Sequence, residues 1–169
     1  LFYLGRFEES QKMYQELLEL PHKSSLFKAY TLQALGMTHV KLDEHHEAIS
    51  CYEKAVDLFF EYYGTENQEF LLFYYELGHS LTQVKAYQKA IPYFEKVIAL
   101  QKDPTKVFIA MNNMGEAYFS SEQFEPAKST FERSLSWLTE TGATEEIFPE
   151  GFEYCRQQIA RCEGKLKDS

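Results

Sequence analysis

Apolar residues along this chain recur three and four positions apart, the spacing of one stripe on an α-helix rather than the alternation of a half-buried strand. Leu32, Leu35 and His39 form such a stripe, as do Tyr74, Leu77 and Leu81, and again Met111, Met114 and Tyr118. The same periodicity runs through Ala48, Tyr52 and Ala55, through Ala90, Phe94 and Val97, and through Ala127, Phe131 and Ser134. Between the stripes lie short polar punctuators. Gly64 reads as a helix stop, and Thr65-x-x-Gln68 after it reads as a capping box. Asp103-Pro104 reads as a helix start, with proline preset for the first turn. The pattern predicts helices near residues 6–19, 25–42, 44–62, 66–84, 87–101, 104–120, 123–140 and 150–166.

These stripes are copies of one another. One unit reads Leu32-x-x-Leu35-Gly36-x-x-His39 and then Ala48-x-x-x-Tyr52-x-x-Ala55. Tyr74-x-x-Leu77-Gly78-x-x-Leu81 with Ala90-x-x-x-Phe94-x-x-Val97 repeats it, and so does Met111-x-x-Met114-Gly115-x-x-Tyr118 with Ala127-x-x-x-Phe131-x-x-Ser134. The glycine falls mid-helix, where it costs roughly 1 kcal/mol relative to alanine. Close approach of a partner helix accounts for it, since a Cβ there would push the pair apart. Ala48, Ala90 and Ala127 are the matching small residues, and Tyr52, Phe94 and Phe131 are expected to fill the space between hairpins.

In these residues the chain resembles the tetratricopeptide repeat family, whose pattern is a large residue, Leu-Gly and an aromatic, then Ala, an aromatic and Ala. His39 and Leu81 depart from it at the first-helix aromatic, Ser134 departs at the last alanine, and the helix-ending proline is missing. The resemblance implies an all-α fold, a right-handed superhelical solenoid of antiparallel hairpins, in a single domain. Repeats are assigned to 29–64, 71–103 and 108–142, a half repeat to 6–19 and a capping helix to 150–166. Ser10 and Tyr14 align with Ala48 and Tyr52, so Leu4 to Leu20 matches a second helix. Phe152, Cys155 and Ile159 match a first-helix stripe. The Ser10, Ala48, Ala90 and Ala127 positions stand 38, 42 and 37 residues apart, longer than the usual repeat of about 34. Longer helices and connections are expected to take up the difference. The start at Leu1-Phe2-Tyr3, without methionine, is read as a piece of a longer protein, with Phe2, Tyr3 and Phe7 expected to be exposed at the cut end.

Stacked hairpins curve, and the first helix of each lines the concave side. Removing the inward stripe leaves Tyr30, Gln33, Met37, Val40 and Lys41, then Leu72, Tyr75, His79, Thr82 and Gln83, then Ile109, Asn112, Glu116, Phe119 and Ser120, with Asn113 at the edge. Amides such as Gln33, Asn112 and Asn113 pair with a peptide group as donor and acceptor. Tyr30, Tyr75 and Phe119 offer rigid anchoring area, and His79 beside Tyr75 is a donor or pH sensor. The candidate peptide-binding set is therefore Tyr30, Gln33, Met37, Tyr75, His79, Asn112, Asn113, Glu116 and Phe119. Solvated amides, and aromatics packed on a neighbouring helix, are the plainer alternative. Family members that clamp the acidic C-terminus of chaperones use Lys and Asn at positions occupied here by Gln33, Met37, Glu76, Ile109 and Asn113. One matching residue cannot offset two carboxylates.

Composition narrows the function classes. Apolar residues make up 44% and aromatics 16%, too rich for a disordered segment. They are dispersed among charges, so no window approaches the roughly 20 apolar residues of a membrane helix. Twenty-six acidic against 17 basic residues give a net charge of −9, which repels a phosphate backbone. Nucleic-acid binding by this segment is not expected. Cys51, Cys155 and Cys162 have no CxxC spacing, which favours buried thiols in a reducing, cytoplasmic setting. His45 and His46 point apart in a turn with no further ligand at metal spacing. Glu8-Glu9 and Glu145-Glu146 read as solvated, and no nucleophile–base pair or phosphate loop is present. No catalysis, cofactor or metal is expected, and the partner is a protein or peptide. Three roles stay open. They are a peptide receptor similar to the sensor domains of Gram-positive pheromone receptors, a scaffold or homodimerisation module similar to kinesin light chain repeats, and a regulatory domain of an enzyme.

Overall fold

A computed structural model describes residues 5–21 and 23–168. The described residues form eight α-helices: α1 Phe7–Glu19, α2 Ser25–Lys41, α3 His45–Tyr63, α4 Leu71–Gln83, α5 Tyr87–Leu100, α6 Pro104–Ser120, α7 Phe124–Glu140 and α8 Pro149–Lys167. All but the start of α4 fall close to the predicted spans. Among the described residues there is no strand. Phe2, Tyr3 and Leu4 lie outside the described residues. Phe7, expected to be exposed, is half-buried.

Local chemistry sets the boundaries. The Ser24 hydroxyl accepts from Phe27 N at 3.2 Å and starts α2. Asp103 accepts from Thr105 N at 2.9 Å and starts α6, as Asp-Pro predicts. Gly64 closes α3 in the left-handed region, at φ 71°. Asn67, rather than the predicted Thr65 capping box, opens the next element. It takes an extended conformation, and its side chain accepts from Glu69 N at 2.8 Å. A 3-10 turn over Gln68–Phe70 then runs into α4, which begins at Leu71 rather than 66. Asparagine competes well for such a role because its short side chain reaches the backbone two residues on.

The chain divides into two compact units, Leu1–Lys85 and Ala86–Ser169. In the first, α1, α2, α3 and α4 pack in succession, and α2 also touches α4. Its core is aromatic. Phe59 is fully buried, with the rings of Phe73, Phe70, Tyr63 and Tyr30 at centroid distances of 4.6, 5.8, 5.6 and 5.1 Å. In the second unit α5 to α8 pack in succession. Phe108, Leu138, Phe152 and Cys155 form one cluster there, and Phe119, Ala127, Phe131 and Cys162 form another.

The mid-helix glycines have a more specific cause than helix-to-helix approach. A Cβ on Gly36 would stand 2.7 Å from Cε1 of Tyr52, and one on Gly115 would stand 2.7 Å from the Phe131 ring. The aromatic of the second helix thus lies on the glycine of its own hairpin, and Phe131 also meets Tyr154 of α8 at 6.2 Å and clusters with Cys162, reaching into the space towards the next helix. All three cysteines are unpaired and buried, and burial pushes the Cys51 thiol up to about 11. No helix of the described residues is long and apolar enough to cross a membrane.

Candidate functional site

In the first unit the helical register brings most of the predicted residues onto adjoining α2 and α4 surfaces. Gln33, Met37 and Lys41 follow one another at single-turn spacing on α2, and Leu72 and Glu76 do so on α4. Tyr30 is 44% exposed and sets its ring edge-on against Phe59. Partial burial, followed by the Glu69 carboxylate and Tyr63, raises its phenol above the ordinary tyrosine value. Gln33, Met37 and Tyr75 are half-buried, while Leu72 is exposed.

His79 is half-buried, and burial followed by the charge of His45 holds it below the usual imidazole range. His45 is therefore not a solvated turn residue. It opens α3, its Nε2 lies 3.1 Å from Asp43 Oδ1, and its ring centroid is 6.3 Å from that of His79. His46 alone of the pair is exposed. Among the described residues no group of three His, Cys, Asp or Glu side chains is placed to hold a metal ion.

Glu76 sits in the same surface. Burial raises its pKa and the charge of Lys41 lowers it, with burial the larger. No hydrogen bond or ion pair from the described residues reaches its carboxylate. The Tyr52 hydroxyl is fully buried without a hydrogen-bond partner, and Glu76 is the charge that most affects it. Nothing in the periodicity marks Glu76 out, because its position registers only as one that lacks the clamp's basic residue.

The second unit corrects part of the predicted set. Asn112 is buried, accepts a hydrogen bond from Ser134 Oγ at 3.0 Å and lies 4.0 Å from Cys155 Sγ. Phe119 is buried too, with the Arg161 guanidinium 3.6 Å above its ring and Phe124 edge-on at 5.2 Å. Glu116 accepts from Tyr154 Oη at 3.2 Å and from Arg161 at 3.1 Å. Sequence spacing turns these three outward, yet α8 covers them. Asn113 is half-buried and Ile109 exposed. The signal that could have found this is the match of Phe152, Cys155 and Ile159 to a first-helix stripe. A first helix packs beside the preceding first helix, so α8 screens the face of α6.

Elsewhere in this unit a cleft of about 560 Å³ opens among Ile98, Val107, Met111, Arg133 and Trp137. Its walls come largely from α7, a helix that carries none of the predicted site residues. The Trp137 indole donates to Pro104 O at 3.0 Å at its edge.

Known proteins place this arrangement. The tetratricopeptide repeat profile matches residues 1–59 and 69–139. No curated protein matches the sequence. Among solved structures, the TPR-like repeats of a Podosopora anserina protein described as a kinesin light chain superpose with a TM-score of 0.78 at 16% identity. The match covers 98% of this chain and 82% of that one. MamA from Desulfovibrio magneticus RS-1 gives 0.64 at 16% identity, over 99% of this chain and 90% of that one. The apo form of RapI gives 0.74 at 12% identity, over 99% of this chain and 60% of that one. With its repeated Leu-Gly and Ala-aromatic signatures, its successive packed helices and this profile match, the chain belongs to the tetratricopeptide repeat family.

Proposed function

We propose that this chain is a non-catalytic, cytoplasmic binding module that holds an extended peptide or unstructured protein segment against the first helices α2 and α4. Tetratricopeptide repeats are in general protein-interaction modules, and that much follows from family membership. The observation that carries the finer reading is the α2–α4 surface. On its α2 side stand exposed Tyr30 and half-buried Gln33 and Met37, and on its α4 side exposed Leu72 and half-buried Tyr75 and His79. Rigid aromatics supply contact area at low entropic cost, and amide or imidazole groups pair with a main chain. A sensor role in a transcriptional or signalling regulator fits such a surface. Three buried, unpaired thiols support the cytoplasmic setting.

The test is a screen of the purified chain against an array of random peptides, run beside a Tyr30→Ala, Gln33→Ala double variant. Binding that falls in the variant supports the groove on α2 and α4. Binding that survives unchanged removes it. A scaffold role has its own support in Phe60 and Tyr62 of α3, which are 50% and 57% exposed on the opposite helix. Substituting both with serine separates the two readings, because only a folded partner on α3 would be lost.

A further inference from the structure

The α2–α4 surface carries a charge requirement beyond its groove. Glu76 is a half-buried carboxylate on α4 that no hydrogen bond or ion pair from the described residues satisfies. Its one-turn neighbour on α4, Ser80, has a fully buried hydroxyl without a partner, and so does Tyr52 of α3, whose ring end rests on Gly36 of α2. A buried polar group left unpaired forfeits its hydration without compensation. The Tyr52 hydroxyl, within electrostatic reach of Glu76, needs an acceptor, and Glu76 needs a cation. Lys41, at the end of α2, reaches Glu76 by its charge alone and is itself exposed. The chain as a whole carries −9 and so draws in positive partners.

We propose that this surface recognises a lysine or arginine side chain of the bound segment. The proposal rests on the groove reading above. The incoming cation takes one oxygen of Glu76 while the Tyr52 hydroxyl donates to the other. Lys41, already exposed, then no longer supplies the nearest positive charge. Burial already raises the pKa of Glu76, so the carboxylate is short of a partner before any ligand arrives.

The experiment uses the intact chain and three arrays of random peptides about ten residues long, identical except for a fixed central lysine, norleucine or glutamate. The lysine array should bind at least about tenfold better than the norleucine array, and glutamate should bind worst. Glu76→Gln, checked for an unaltered helical signal, should erase the difference between lysine and norleucine. Lys41→Gln should tighten lysine peptides, because it removes the chain's own competing cation, and this holds even if Glu76→Gln folds poorly. Equal binding of lysine and norleucine peptides, or no gain in Lys41→Gln, would overturn the charge requirement and leave the groove standing. Failure of all three arrays would overturn both.

Discussion

At the scale of single residues, the recurring oddity of each repeat is a glycine inside a helix, and for Gly36 and Gly115 the structure gives its cause in ångströms. Tyr52 and Phe131 press on Gly36 and Gly115 so closely that a methyl group would sit 2.7 Å from a ring carbon. Alanine favours a helix by about 1 kcal/mol over glycine, but overpacking a rigid core costs about 1–3 kcal/mol. Both rings are fully buried and cannot turn away. Gly36→Ala is therefore expected to lower stability by about 1–2 kcal/mol in urea denaturation. A gain instead would mean that the ring yields and propensity wins. Glu76 makes the opposite case. Because burial raises its pKa in the fold, the ionised form opposes folding. Stability is fullest below the ordinary carboxylate value and falls as pH rises through the raised folded value. Glu76→Gln should thus raise the melting temperature at pH 7, with the gain vanishing near pH 4. An equal gain at both values would show that packing, not charge, sets the effect.

Between helices, the sequence makes most of the architecture legible and misplaces one face. The 3.6-residue stripes, Gly64 and Asp103-Pro104 locate eight helices because each signal is local. Two hairpin turns end in the same way. Asp43 and Glu122 adopt φ of 62°, and the amides after them bond back to His39 O and Tyr118 O at 2.9 Å. Neither residue is the glycine or asparagine that would announce a left-handed turn. Which helix faces stay open is a non-local matter. Asn112 looks outward by its spacing on α6 alone, but Ser134 of α7 donates to it and Cys155 of α8 lies 4.0 Å from it. An amide in that position ties three helices. Asn112→Ala removes the acceptor of a fully buried hydroxyl, for which about 1–3 kcal/mol is expected. The shift in urea midpoint measures it, and an unshifted midpoint would return Asn112 to the solvated surface that its sequence spacing suggests.

For the whole molecule, the quantity that matters to a partner is the net charge of −9 together with an unpaired carboxylate in the proposed binding surface. Long-range fields act chiefly on association rates, since charges separated by more than about 10 Å are screened at 0.1 M salt. A cationic segment approaching this chain is accelerated by the summed acidic charge, whereas the proposed contact with half-buried Glu76 is short-ranged, so salt touches it less. The two effects separate kinetically. For a lysine-bearing peptide, raising salt from about 0.05 to 0.5 M should lower the association rate several-fold and leave the dissociation rate nearly constant. Glu76→Gln should do the reverse, raising the dissociation rate while the salt dependence of association persists, because one charge among 26 acidic residues barely changes the field. Stopped-flow fluorescence resolves both rates. An association rate that climbs with salt would mean that the acidic charge of this chain repels the lysine-bearing peptide, and would overturn electrostatic steering of a cationic segment.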